Sequence, residues 1–162
     1  NLCREYSSVY GLQTIIVRPF SVYGPGLKKQ LLWDLFQKIK LSKEYIIELW
    51  GTGNESRDFI YIDDLVRGIH MVIDNAKFDS SAYNLGSGIE TSITDVVKIF
   101  FDSFDSTIKY NFNGIVREGD PNNWRANISK MSSIGFSPEI SLEDGIMNYT
   151  TWLKTIKNES VD

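Results

Sequence analysis

The run Thr14-Ile15-Ile16-Val17 is β-branched throughout and leads directly into Arg-Pro-Phe-Ser-Val-Tyr-Gly-Pro-Gly at positions 18–26. β-Branched side chains lose rotamer freedom in a helix and pack well on a pleated surface, so four in succession specify a strand. The run lacks apolar–polar alternation, the pattern of a fully buried strand such as those of parallel sheets covered by helices. Pro and Gly then force a turn. At its plainest the Arg, Phe, Ser and Tyr at the strand exit mark the rim of a sheet; the question is whether they face something.

The remaining chain alternates in the same way. Leu2, Tyr6, Val9 and Tyr10 followed by Gly11 predict the tail of a helix with a glycine C-cap, and a helix tail without its start predicts residues upstream of Asn1. A helix over about Gln30–Leu41 carries Leu31, Leu32, Leu35, Phe36 and Ile39 on one face. Short strands are predicted in YIIELWG (45–51), RDFIYI (57–62), AYNLGSG (82–88) and TIKYNF (107–112). Asp63 is placed as the cap of a helix bearing Leu65, Val66, Ile69, Val72 and Ile73. Ser92 with Asp95 forms a capping box for the helix of Ile93, Val96, Val97, Phe100 and Phe101, and Ser141 with Asp144 caps a last helix through Trp152. The stretch 116–130, VREGDPNNWRANISK, reads as a polar connection, and the end should fray. Strands alternating with helices, without repeat or linker, make this an α/β chain.

Composition narrows the chemistry. At 162 residues and 42% hydrophobic content the chain can bury a sizeable core. Lys and Arg are scattered under a net charge of −4, so nucleic acid is not an expected partner. No apolar run approaches bilayer thickness and the opening lacks the pattern of a signal peptide, so no membrane partner is expected and the cytoplasm is the expected location. One cysteine, Cys3, and one histidine, His70, are too few for a zinc site or a Ser-His triad, and no metal is expected.

Two loops could hold an anion. In GTGNESRD (51–58) Ser56 stands where a dinucleotide fingerprint needs its third glycine, and a strand follows rather than a helix, so this is not a cofactor loop. It does place Arg57 behind a flexible turn, where a guanidinium can clamp a phosphate; the plain alternative is a surface pair with Asp58. Arg117 and Asp120 share a Gly-Pro loop, where one can donate to an anion and the other accept from a ribose diol; the plain alternative is a solvated turn. Trp50 precedes the glycine turn at a strand end, where an indole face can stack on a base.

Taken in order, YGLQTIIVRPFSVYGPG, WGTGNESRDFIYIDDLVRGI, YNLGSG with TSITDVVKIF, REGDP with ANISK, and GFSPEISLEDGI resemble the C-terminal part of the extended short-chain dehydrogenase/reductases, the NAD-dependent nucleotide-sugar epimerases and dehydratases. The resemblance covers nearly the whole chain. It implies the C-terminal portion of a Rossmann-type parallel sheet (about 1–26 and 63–90) plus a small α/β substrate-binding part (about 27–62 and 91–162), with the cofactor half lying outside the chain. By resemblance, Pro19 and Phe20 lie near the nicotinamide of NAD, and Ser21, Arg57 and Arg117 near the diphosphate of a nucleotide sugar. Asp120 then holds the ribose and Trp50 lines the base pocket. The family has Asn where Ser21 stands, so this position has lost an amide donor.

The family's glycine turn and Tyr-x-x-x-Lys pair are not in these residues; neither Tyr6 nor Tyr10 has Lys four positions on, and no catalytic residue is assigned within the chain. The resemblance implies a homodimer for the parent enzyme, through the helix whose tail is Asn1–Tyr10, and weak or no NAD binding by these residues alone. The rival expectations are a stand-alone nucleotide-sugar binding or regulatory module and an interaction domain without a small ligand.

Overall fold

The computed structural model describes residues 2–41, 46–116, 119 and 122–158. The elements are α1 (Leu2–Tyr10), β1 (Thr14–Pro19), β2 (Ser21–Tyr23), α2 (Gln30–Leu41), β3 (Ile46–Leu49), β4 (Ser56–Arg57), β5 (Phe59–Tyr61), α3 (Ile62–Asn75), β6 (Asp79–Leu85), β7 (Thr91–Ser92), α4 (Ile93–Phe104), β8 (Lys109–Phe112), α5 (Ser129–Ser133) and α6 (Leu142–Asn158). The strands pair two by two: β1 with β6, β2 with β5 and β3 with β8 are parallel, and β4 with β7 is antiparallel. Each parallel pair joins segments separated by at least one helix, as parallel pairing requires.

The β2–β5 pair is the wall between two cores. Along β5, Tyr61 points into the cluster of Leu35, Phe36, Val97, Phe100, Ile146 and Tyr149, with Phe59 packed against the same cluster. Ile60 between them points into the other, with Val72, Tyr83, Leu85, Met131 and Phe136. On β2, Tyr23 joins the first cluster and Val22 packs on the second. The period-two alternation of strand side chains thus lets one short pair serve both cores. Burial, then the charges of Tyr61, Glu143, Asp64 and Asp144, push the Tyr23 phenol well above its usual range, so it stays a neutral donor, to the Leu142 carbonyl at 3.4 Å.

Local signals hold where they are self-contained. Gly11 takes φ +65° and donates to the Ser7 carbonyl at 3.0 Å, closing α1 as a glycine cap. Ser92 accepts from the Asp95 amide at 3.1 Å, and Ser141 does the same for Asp144 at 3.0 Å. Three expectations differ. β1 is half-buried rather than buried, because among the described residues only β6 pairs with it. Asp63 does not cap α3: Tyr61 is the N-cap without a side-chain bond, and both Asp63 and Asp64 lie inside the first turn. The connection before residue 130 runs into a helix, α5, anchored by fully buried Met131.

Asp64 is the more telling of that pair. It is 2% exposed and accepts from the amides of Glu139 at 3.1 Å and Ile140 at 3.0 Å and from Arg67 Nη2 at 2.6 Å. Arg67 also stacks over Phe136 at 5.0 Å. The carboxylate therefore ties α3 to the lead-in of α6. No helix among the described residues is long and apolar enough to cross a membrane. Replacing Asp64 by Ala leaves the part-buried Glu139 and Ile140 amides without their acceptor and removes one partner of Arg67, which keeps Glu139 and the Ser137 carbonyl, so it is expected to cost about 3 kcal/mol of unfolding free energy in urea titration.

Candidate functional site

The exit of β1 does face something. Phe20 donates its amide to the Leu85 carbonyl at the end of β6 at 2.9 Å, and Ser21 donates to the Asp58 carbonyl at 3.0 Å. Pro19 lies level with Leu85 across the parallel pair. The Phe20 ring meets Trp124 edge to face, 5.8 Å between centroids. Pro19, Phe20, Ser21 and the Arg57–Asp58 step thus meet where the carboxyl ends of β1 and β6 adjoin the amino ends of β2 and β5. Ligand sites of open α/β sheets form at the carboxyl ends of the strands, as at the β1–β6 end here.

Arg57 is half-buried on β4, level with Thr91 of β7, and its Nη1 donates to the Ser56 carbonyl at 2.7 Å. Its neighbour is no member of a surface pair. Asp58 is fully buried, and its Oδ1 accepts from the Ser87 amide at 2.6 Å and the Ser87 hydroxyl at 2.9 Å. Oδ2 accepts from the amides of Gly88 at 2.9 Å and Ala126 at 3.0 Å. Sequence reasoning missed this residue because its donors lie 29 to 68 positions away. Its nearest local signal is the pair of glycines flanking Ser87.

Ser87, Gly88 and Ala126 also line a cleft of about 680 Å³, together with Arg125, Asn127, Ile128, Ser129 and Ser132. Arg125 was not singled out by the sequence; its Nε reaches across to the Gly88 carbonyl at 2.7 Å. A hydroxyl, an amide side chain and a guanidinium give this cleft donors suited to an oxygen-rich ligand.

Trp50 is 55% exposed at the end of β3. Next to it, Gly51 donates to the Ile115 carbonyl at 3.1 Å and accepts from the Gly114 amide at 2.9 Å. Further along, the Ser56 amide donates to the Asn122 carbonyl at 2.8 Å. Arg117 and Asp120 lie outside the described residues, but the segments on either side of them are pinned, one beside Trp50 and the other beside Arg57.

The glycine turn itself is no anion cradle. Glu55 accepts from the amides of Thr52 at 3.0 Å and Gly53 at 2.9 Å, so the donors a phosphate would need are taken. Partial desolvation pushes the Glu55 carboxyl up, but these hydrogen bonds outweigh it and hold it below its usual range. A depressed carboxyl supports the turn above its unfolded-state value and loses that support as pH falls through the folded one. The Thr52 and Gly53 amide resonances should therefore move together on acidification, with a midpoint below the ordinary Glu value of 4.5, and E55Q should abolish the transition.

Parallel strand pairs alternating with helices give this chain the fold of the C-terminal half of a Rossmann-type α/β protein. The family model described as "NAD dependent epimerase/dehydratase family" matches residues 1–86, and the chain belongs to that family. It is 30% identical over 156 residues to the uncharacterized UDP-glucose epimerase YtcB of Bacillus subtilis, covering 96% of this chain and 49% of that protein. With the UDP-glucuronate 4-epimerase of Thermodesulfobacterium geofontis it shares 32% identity over 94% of this chain and 47% of the relative. Among solved structures, the UDP-glucuronic acid 4-epimerase of Bacillus cereus in complex with UDP-glucuronic acid and NAD superposes with a TM-score of 0.83 at 29% identity, over 96% of this chain and 49% of that one. The chain thus spans about half the length of these relatives.

Proposed function

We propose that this chain is the nucleotide-sugar-binding portion of an NAD-dependent epimerase or dehydratase. The observation that carries the reading is that Ile115 is pinned beside Gly51, next to Trp50, and Asn122 beside Ser56, next to Arg57, so the described segments on either side of Arg117 and Asp120 are tied to the elements that carry Trp50 and Arg57. Two arginines with a carboxylate and an indole suit a nucleoside diphosphate: cations for the diphosphate, an acceptor for the ribose diol, a flat face for the base. The relatives that bind or act on UDP-sugars support this class of ligand.

In such an enzyme NAD supplies the hydride acceptor and donor. The residues of this chain toward it are Pro19 and Phe20; the glycine turn does not fit the cofactor's pyrophosphate, since Glu55 fills its amides. We assign residues 1–26 and 63–90 to the Rossmann sheet and residues 27–62 and 91–162 to the substrate part. The 162 residues alone are inactive on this reading, because no tyrosine in them is followed by lysine four positions on. Homodimerisation through the face of α1 would cover Leu2, Tyr6, Val9 and Tyr10, all at least half exposed.

Alanine at Arg57 or Arg117 removes charge-assisted hydrogen bonds to the diphosphate. The expected loss of UDP affinity is about 1.5 to 3 kcal/mol, roughly tenfold to hundredfold by calorimetric titration, with the melting temperature little changed. Unchanged affinity in both variants would return the two arginines to solvated surface positions.

A further inference from the structure

We propose that Asp58 is a positioning residue: its buried carboxylate locks the Ser87–Gly88 turn and the Ala126 segment against the Arg57 strand, so that Arg57 and the wall of the 680 Å³ cleft move as one unit. The arrangement is built to a close tolerance. Both carboxylate oxygens are fully used, by four donors from two segments remote in sequence. The backbone of the same residue accepts from Ser21, so a single residue joins β2, β4, the turn after β6 and the segment before α5.

Gly86 provides the space. A Cβ there would stand 2.8 Å from Asp58 Oδ1 and 2.7 Å from the Ala126 methyl, closer than carbon atoms tolerate. Every donor to Asp58 also lines the cleft, so the carboxylate lies directly behind the wall that a ligand would meet. A hydrophobic residue could fill the volume, but it would orphan three backbone amides. Arg57, one bond along the chain, takes its direction from this fixed point. Asp58 itself is buried and touches no ligand; it acts through Arg57 and the cleft wall.

Asp58→Asn is a sharp probe because it keeps the shape. One oxygen can still accept from its pair of donors, but the amide nitrogen must then face backbone N–H groups that it cannot accept from. In the protein carrying this chain, the Ser87, Gly88 and Ala126 amide resonances should lose the downfield shift of charge-assisted bonds, and the Arg57 side-chain Nε signal should broaden or move. UDP affinity, measured at a temperature where the variant is fully folded, should fall about tenfold or more. Asp64→Asn, a buried carboxylate remote from the cleft, is the control: it should lower the melting temperature while leaving the Arg57 signal and UDP affinity unchanged. Should Asp58→Asn fail to fold, Gly86→Ala displaces the same carboxylate with its charge intact and should give the same pair of effects.

The binding arm rests on the nucleotide-sugar reading above; the spectroscopic arm does not. If the unsubstituted protein binds no UDP, that reading fails, and the Arg57 and amide signals alone decide the role of Asp58. Retained amide shifts, a retained Arg57 signal or retained UDP affinity in a folded Asp58→Asn protein overturns the proposal, as does an equal loss of affinity in Asp64→Asn.

Discussion

A carboxylate with no solvent around it and four hydrogen-bond donors converging on it holds the site end of this protein together. Burying a charge costs several kcal/mol unless the surrounding groups replace its hydration, and Asp58 has donors on both oxygens. Three of those donors are backbone amides of turn and loop segments, which have no sheet ladder to satisfy them. The exchange is mutual: the loops neutralise the charge, and the charge gives the loops a reason to sit where they do. Removing either side leaves the other unsatisfied in a low dielectric, which is why such a point constrains its neighbourhood more than an apolar contact of the same size.

The same device recurs at Asp64, with a different outcome. There the donors are the amides of Glu139 and Ile140 and the Arg67 guanidinium, and what is fixed is the approach of α6 to α3. Between the two carboxylates runs β5, whose alternating side chains feed two cores. Residues 58–64 therefore carry charge at both ends and apolar side chains of both orientations between them. This segment fixes the cleft, the β2–β5 wall and the helix packing in seven consecutive residues.

Much of this was legible locally and the decisive part was not. The capping boxes at Ser92 and Ser141 and the glycine cap at Gly11 need only residues within four positions of one another, so their patterns can be recognised directly. Asp63 as a cap failed because α3 starts one residue before it, with Tyr61 at the N-cap, and it is the distant amides of residues 139 and 140 that draw Asp64 into the interior. The helix α5 is a single turn and carries no periodicity to detect; the buried Met131 that anchors it shows only in three dimensions. Asp58 next to Arg57 reads as an ordinary ion pair, since nothing within ten residues hints at donors from positions 87, 88 and 126. Arg57 and Trp50 were reachable as candidates by charge and context, but the backbone bonds that tie Gly51 to Ile115 and Ser56 to Asn122 leave no mark in the sequence.

The glycine turn at 51–53 shows why composition and site must be argued separately. A glycine-rich turn binds phosphate when its N–H groups point outward with nothing to accept them. Here Glu55, two to three residues on, takes the amides of Thr52 and Gly53, while the Gly53 carbonyl accepts from both the amide and the hydroxyl of Thr94 at 2.9 Å. A Cβ at Gly53 would collide with Thr94 and Phe112, so the glycine is there for the close approach of α4 and β8. The turn thus acts as a fastening. It holds the exit of β3 against residues 113–115 on one side and the start of α4 on the other.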